Sequence, residues 1–273
     1  MLYIVGTPIG NLGDISPRAL EILSTVDFIP AEDTRVTGKL LSHFHISKPM
    51  VSCREQNERT RAEQIAERIA AGESCAVVTD AGMPCISDPG ELVVRLCVER
   101  GVEIAVVPGP SAAISALAIS GLPTARFLFE GFLTTNHGKR NERLRELKPY
   151  PETLIFYEAP HKLRDTLDDL LRELGDRRIS LCRELTKLHE EVLRMTISEA
   201  VEYYREQEPR GEYVLVVEGS TGEEQAVSFE DAVQQVLTLS EESGISSASK
   251  TVAALTGYPK AKLYKAALEL REE

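Results

Sequence analysis

Leu2-Tyr3-Ile4-Val5-Gly6-Thr7-Pro8-Ile9-Gly10-Asn11-Leu12-Gly13-Asp14-Ile15-Ser16 decides how the rest of the chain is read. An apolar run starts at the second residue and passes straight into a loop of three glycines, a proline and an asparagine. Ser16 then reads as a helix N-cap and Pro17 as the first helical residue. Strand, glycine loop and helix in this order let a backbone come close to a ligand. The spacing of Gly6, Gly10 and Gly13 is not the Gly-x-Gly-x-x-Gly of a dinucleotide site, and no Gly-Lys-Ser/Thr of a phosphate loop follows. Pro8 removes a backbone donor, so the loop suits a ligand other than a polyphosphate. A tight turn with no ligand is the competing reading.

Outward from this loop the pattern repeats. Apolar runs at Leu2–Val5, Phe28–Ala31, Met50–Ser52, Cys75–Thr79 and Val102–Val107 alternate with helix-period segments at Pro17–Leu23, Thr34–Phe44, Glu58–Ala71, Glu91–Arg100 and Ser111–Ile119. That alternation predicts a parallel sheet covered by helices, with ligands beyond the carboxyl ends of its strands. The glycine- and proline-dense loops Gly6–Gly13, Asp80–Gly90 and Pro108–Ser111 follow strands, as does the mixed-charge turn Glu32–Arg35. Gly121-Leu122-Pro123 breaks the rhythm and sets the first domain at 1–121. Residues 122–219 then read as a second α/β domain with a mixed sheet. Its strands are expected at Thr153–Tyr157, Ile179–Arg183, Val192–Thr196 and Tyr213–Glu218, and its helices at Lys162–Leu174 and Ser198–Glu206. Thr134–Lys148 reads as an exposed basic loop entering a helix. Gly219–Ala226 reads as a linker. The tail 227–273 is helical in period, with segments at Phe229–Glu242, Ser247–Thr256 and Lys260–Arg271. Ala253, Gly257 and Leu263 have helix-turn-helix spacing, and a plain three-helix appendage fits equally well.

The net charge of −12 argues against a generally basic coat for nucleic acid, though not against a local basic groove. No transmembrane run and no secretory signal are visible. The five cysteines, Cys53, Cys75, Cys85, Cys97 and Cys182, spell no zinc or redox motif and read as reduced thiols of a cytoplasmic protein. No metal site is expected; His189-Glu190-Glu191 lacks a second histidine.

Among the loops, Asp80–Gly90 carries the strongest signal. Asp80 sits at a strand end, where a carboxylate can take a ribose hydroxyl or an amino group. Asp88, before Pro89-Gly90, is read as the cap of the following helix. Pro108-Gly109-Pro110-Ser111-Ala112 opens a helix of small residues, which suits either a planar group or close helix–sheet packing. Arg35 is placed for an anionic substrate. Tyr157 reads as an aromatic wall and His161 as a base or phosphate ligand, although a lone histidine is more often neither.

Taken together, Gly6-Thr7-Pro8-Ile9-Gly10-Asn11-Leu12-Gly13-Asp14, Glu32-Asp33-Thr34-Arg35, Asp80-Ala81-Gly82-x-Pro84-x-Ile86-Ser87-Asp88-Pro89-Gly90, Pro108–Ala112 and Tyr157-Glu158-Ala159-Pro160-His161 resemble the tetrapyrrole-methylase superfamily, in particular a subgroup that methylates RNA. The likeness covers about residues 1–219 in motif order and spacing, and the tail fits the subgroup. Ala159 stands where the subgroup usually has serine. The resemblance implies two α/β domains plus a small C-terminal helical appendage, with S-adenosylmethionine folded in the cleft between the domains. Pro8, Asp80, Ala81, Gly82, Ile86, Ser111 and Ala112 would hold the cofactor from the first domain, Tyr157 and Glu158 from the second. It also implies a homodimer that methylates a cytidine ribose hydroxyl in the decoding region of small-subunit (16S) ribosomal RNA, naked or within the small ribosomal subunit. The candidates to assist the attacking hydroxyl are Glu32, Asp33, Asp88 and His161, with Arg35 beside them and the Glu32–Arg35 turn favoured. Arg35, Lys139, Arg140, Arg143, Lys162 and Arg164 are the expected RNA contacts. A small-molecule tetrapyrrole methyltransferase and a non-catalytic RNA- or nucleotide-binding protein are the alternatives.

Overall fold

The computed structural model describes residues 1–222 and 229–272. Residues 223–226 of the expected linker, and 227, 228 and 273 of the expected tail, lie outside the described residues. The chain divides into two compact units, Met1–Gly219 and Ser220–Glu273.

The first half of the larger unit runs β1 (Leu2–Val5), α1 (Pro17–Thr25), β2 (Ile29–Ala31), α2 (Thr34–His43), β3 (Met50–Ser52), α3 (Glu58–Ala70), β4 (Cys75–Val77), α4 (Glu91–Glu99), β5 (Ile104–Val107) and α5 (Ala112–Ser120). Every pairing between strands here is parallel. β1 lies between β4 and β5, β2 pairs with β3, and single parallel bridges at Phe28–Cys75 and Ala31–Val78 join the two ladders. The strand period of two explains why both faces are covered. Leu2 and Ile4 pack with Ile65 and Ile69 of α3 and Val93 of α4, while Val5 and Tyr3 face Leu23 of α1 and Leu41 of α2. Ser16 Oγ accepts from the Ala19 amide with Pro17 at the helix start, as the opening stretch predicts.

The second half runs β6 (Phe127–Phe132), α6 (His137–Leu147), β7 (Thr153–Glu158), α7 (Leu163–Leu174), β8 (Arg178–Arg183), β9 (Glu191–Thr196), α8 (Ile197–Glu206) and β10 (Tyr213–Val217). Its sheet has the order β6-β7-β10-β8-β9, parallel at β6·β7 and antiparallel elsewhere. β6 is absent from the sequence-based list. Gly131, at φ +72°, breaks its alternation with a register shift, and Phe127 and Phe132 are exposed. Here too the faces alternate. Leu154, Phe156, Leu215 and Val217 face Leu163, Leu167 and Leu170 of α7, each leucine worth about 1.5–3 kcal/mol when fully buried. Ile155, Val214 and Val216 face the other way, onto Ala113, Ala116 and Leu117. Helix α5 thus follows a strand of the first sheet and packs on the second, which fits its alanine-rich, mostly apolar sequence.

The smaller unit is three helices, α9 (Phe229–Ser243), α10 (Ile245–Thr256) and α11 (Lys260–Glu272), around Ala232, Val236, Val252, Leu263 and Ala267. Among the described residues no helix is long and apolar enough to cross a membrane, no cluster could hold a metal, and all five cysteines are free thiols.

Candidate functional site

A cleft of about 570 Å³ opens within the larger unit where the loops after β1, β2 and β4 meet the start of α5 and the ends of β7, β8 and β10. Backbone packing sets its floor. A side chain on Gly6 would stand 2.6 Å from the Gly109 Cα, so the loops after β1 and β5 touch main chain to main chain. Gly82, at φ +87°, lets the loop after β4 turn back and pair antiparallel with Thr7. Cys85 in the same loop takes a left-handed φ of +70°, as do Glu184 and Thr186 in the β8–β9 connection. Left-handed non-glycine residues are uncommon, and three of the four among the described residues lie in these loops, the fourth being His45 after α2.

Glu32, Asp80 and Asp88 place three carboxylates on the cleft wall. The Thr79 hydroxyl donates to Glu32 Oε2 at 2.7 Å, and Asp80 Oδ1 accepts from the Asp33 amide at 3.0 Å. Burial raises the Asp88 carboxyl to about 6, with the negative charge of Glu32 adding to it and the Thr79 hydroxyl opposing it. Asp80 is raised in the same sense, by burial first and by Glu32 and Asp33 after the opposing Asp33 hydrogen bond. The expectation that Asp88 caps the next helix is not met: Gly90 is the N-cap, and its amide donates to Glu58 Oε1 at 2.8 Å. Opposite stand Tyr157 and Phe132, edge to face with centroids 5.4 Å apart. The Tyr157 hydroxyl accepts from the Ala113 amide at 3.2 Å, which ties β7 to the first turn of α5.

The cleft brings together Asp80, Ala81, Gly82, Ile86, Ser111, Ala112, Tyr157, Glu158, Glu32 and His161 from the expected set. Pro8 is not among its lining residues; Ile9 is, and Pro8 lines a neighbouring hollow. Asp33 and Arg35 also stand apart from the lining. Asp33 caps α2 through the Arg35 amide at 2.8 Å and pairs with the Arg35 guanidinium, which holds its carboxyl well below the usual range and commits both side chains to the helix start. Glu158 lines the cleft but is 4% exposed, and its oxygens accept from the Ala159 amide at 2.8 Å and the Thr166 hydroxyl at 2.6 Å.

The basic segment is corrected more strongly. Arg140 is buried against Asp169 and His137, so it is a structural ion pair rather than a surface contact. Arg143 is held by Glu130 and Glu146, and the Arg164 guanidinium donates to the Tyr204 and Gln207 carbonyls at the end of α8. A count of cations along the sequence does not show these partners. Lys139 is exposed and Lys162 half-exposed.

Sequence reasoning missed Phe132, Lys187 and Glu212 at the cleft, and Thr79, which lines the neighbouring hollow and holds the cleft's Glu32. Thr79 has a local signal, since it precedes Asp80. Lys187 has none. Its amino group reaches Glu184 at 2.9 Å and Glu212 at 2.8 Å from a hairpin far along the chain.

Comparison with known proteins agrees with this architecture. The tetrapyrrole (corrin/porphyrin) methylase profile matches residues 1–201, and the profile described as the RsmI C-terminal HTH domain matches residues 226–271. A Synechocystis protein named ribosomal RNA small subunit methyltransferase I is 45% identical over 276 residues, covering 100% of this chain and 99% of that protein. A protein of the same name from Xylella fastidiosa is 47% identical over 266 residues, covering 96% and 97%. Among solved structures, the uroporphyrin-III C-methyltransferase of Thermus thermophilus, complexed with S-adenosyl homocysteine, superposes at a TM-score of 0.55 with 21% identity. It covers 78% of this chain and 96% of that one, a likeness of fold.

Proposed function

The chain belongs to the tetrapyrrole (corrin/porphyrin) methylase family, and on that premise we propose that it transfers the methyl group of S-adenosylmethionine to the ribose 2′-hydroxyl of a cytidine in the decoding region of small-subunit ribosomal RNA. The observation that carries this reading is the cleft wall itself. Three carboxylates face a mixed surface of Ile9, Ala112, Tyr157 and Phe132, which suits a ligand that is cationic at one point and apolar elsewhere. S-adenosylmethionine, when bound, supplies a methyl group on a positively charged sulfur that an oxygen can displace.

The protein's part is alignment and proton removal. The Ala81-Gly82 turn and the start of α5 would hold the adenosyl end, while Glu32 and Asp80 would favour the positive centre. Asp88 would take the proton of the ribose hydroxyl as the new carbon–oxygen bond forms, then release it to solvent. A base whose pKa lies near working pH does this best, and about 6 is close to it. This moves the base from the Glu32–Arg35 turn to Asp88. Lys139, Lys162 and Lys39 remain as exposed or half-exposed cations for the RNA backbone. The names of the relatives support a ribosomal substrate, and five free thiols support a reducing cytoplasm. A homodimer belongs to the proposal too, supported by the exposed Val106 on the edge strand β5 and Ile114 on α5.

The test uses methyl-labelled S-adenosylmethionine and small ribosomal subunits lacking the modification. After digestion of the RNA, label is expected on a cytidine ribose; absence of transfer to RNA overturns the reading.

A further inference from the structure

A second hollow, of about 410 Å³, shares the Asp80-Ala81 turn with the cleft. The opening loop forms one wall through Pro8 and Leu12, and α2 forms the other through Val36, Thr37 and Leu40. Thr37 is 2% exposed, yet among the described residues its Oγ1 has no hydrogen-bond partner. A buried hydroxyl without a partner is costly, and native proteins keep few of them. Leu12 and Val36 are 40% and 41% exposed, although both are apolar. Lys39 stands exposed on the lip.

We propose that this hollow receives the acceptor nucleotide, a pyrimidine nucleotide unstacked from single-stranded RNA, with Thr37 Oγ1 as its hydrogen-bond partner. The chemistry of the walls fits one such unit. Leu12 and Val36 offer flat apolar contact to a base, the Thr37 hydroxyl meets a polar edge of base or sugar, and Lys39 meets a phosphate. Position argues the same way. An acceptor oxygen must lie in line with the methyl group and in contact with it, so the acceptor subsite has to abut the cofactor subsite. The Asp80-Ala81 turn is the shared wall that provides this. The inference rests on the reading of the chain as an RNA ribose methyltransferase.

Thr37→Val, nearly isosteric, removes only the hydroxyl. Its melting temperature should equal or exceed that of the native chain, because the lost group had no partner. Calorimetric affinity for S-adenosyl homocysteine should be unchanged, while KM for small ribosomal subunits should rise roughly tenfold, the worth of one lost hydrogen bond. Thr37→Ser, which keeps the hydroxyl, should keep the native KM. Lys39→Ala should weaken binding of the subunits and flatten its salt dependence. A lowered melting temperature in Thr37→Val means the hydroxyl serves the fold, and it overturns the proposal. Native KM in both Thr37→Val and Lys39→Ala, with the native chain labelling RNA, overturns it as well. Failure of the native chain to label RNA overturns the parent reading instead.

Discussion

Asp88 and Glu158 line one cleft, each in a loop or strand end that leads into a helix, yet the protein treats the two carboxylates in opposite ways. Glu158 is nearly sealed and fully engaged, with the Ala159 amide on one oxygen and the Thr166 hydroxyl on the other. Asp88 is pushed up to about 6 by burial first, with the charges of Glu32 and Asp80 adding to it. Asp169 repeats the Glu158 pattern, held by Arg140 and Arg172. Burial of an acid therefore does not mark a working group. Burial that donors do not fully compensate, reinforced by like charge, does, because it leaves the acid a tendency to take up a proton.

The sharpest way to break this contrast is Asp88→Asn. Methyl transfer in single turnover should fall about a hundredfold to ten-thousandfold, with homocysteine-product affinity retained. In the native chain kcat should rise with pH to about 6 and then level, since the base works deprotonated; the variant should lose that limb. Stability should move the other way. The folded carboxyl lies above its ordinary value of 3.8, so the native state holds the proton more tightly and stability falls as pH rises from about 4 through about 6. Discounted for the solvent that reaches it, Asp88→Asn should gain about 1 kcal/mol at pH 7 in urea unfolding.

Arg140→Leu tests the opposite arrangement. Removing one partner from a buried ion pair should cost about 3–5 kcal/mol of unfolding free energy, with KM for ribosomal subunits unchanged in the folded fraction. A raised KM with native stability would return Arg140 to the RNA surface. The smallest effect is expected from Glu158→Gln, which spoils one of two accepted hydrogen bonds. About 1–2 kcal/mol of stability should be lost while the acid limb of kcat stays in place.

The inner strands were legible because they are covered on both faces and read as apolar runs, and the shorter, partly exposed edge strands still stand as apolar runs between turns. Leu2–Val5 and Met50–Ser52 match residue for residue. β6 was not legible, since a glycine bulge and exposed phenylalanines erase its period. The cleft was legible in its loops, because glycine and proline must sit where backbones meet, as at Gly6 and Gly109. Its electrostatics were not. The fate of Asp33, Arg140 and Asp88 depends on partners brought by folding, and the same letters spell a cap, an ion pair or a proton acceptor. The Lys187 contact from the β8–β9 hairpin has no trace near the loops it joins.

β1 is the middle strand of its ladder. Leu2 pairs with Cys75 on one side and Ile104 on the other, so its slots exist only after most of the first hundred residues have collapsed. Such distant parallel pairing is slow to form. The loop that follows it, and with it the floor against Gly109, is therefore assembled late in refolding. Amides of Tyr3 and Ile4 should gain protection after those of α3 and α7, and competence to bind the cofactor should arrive with them.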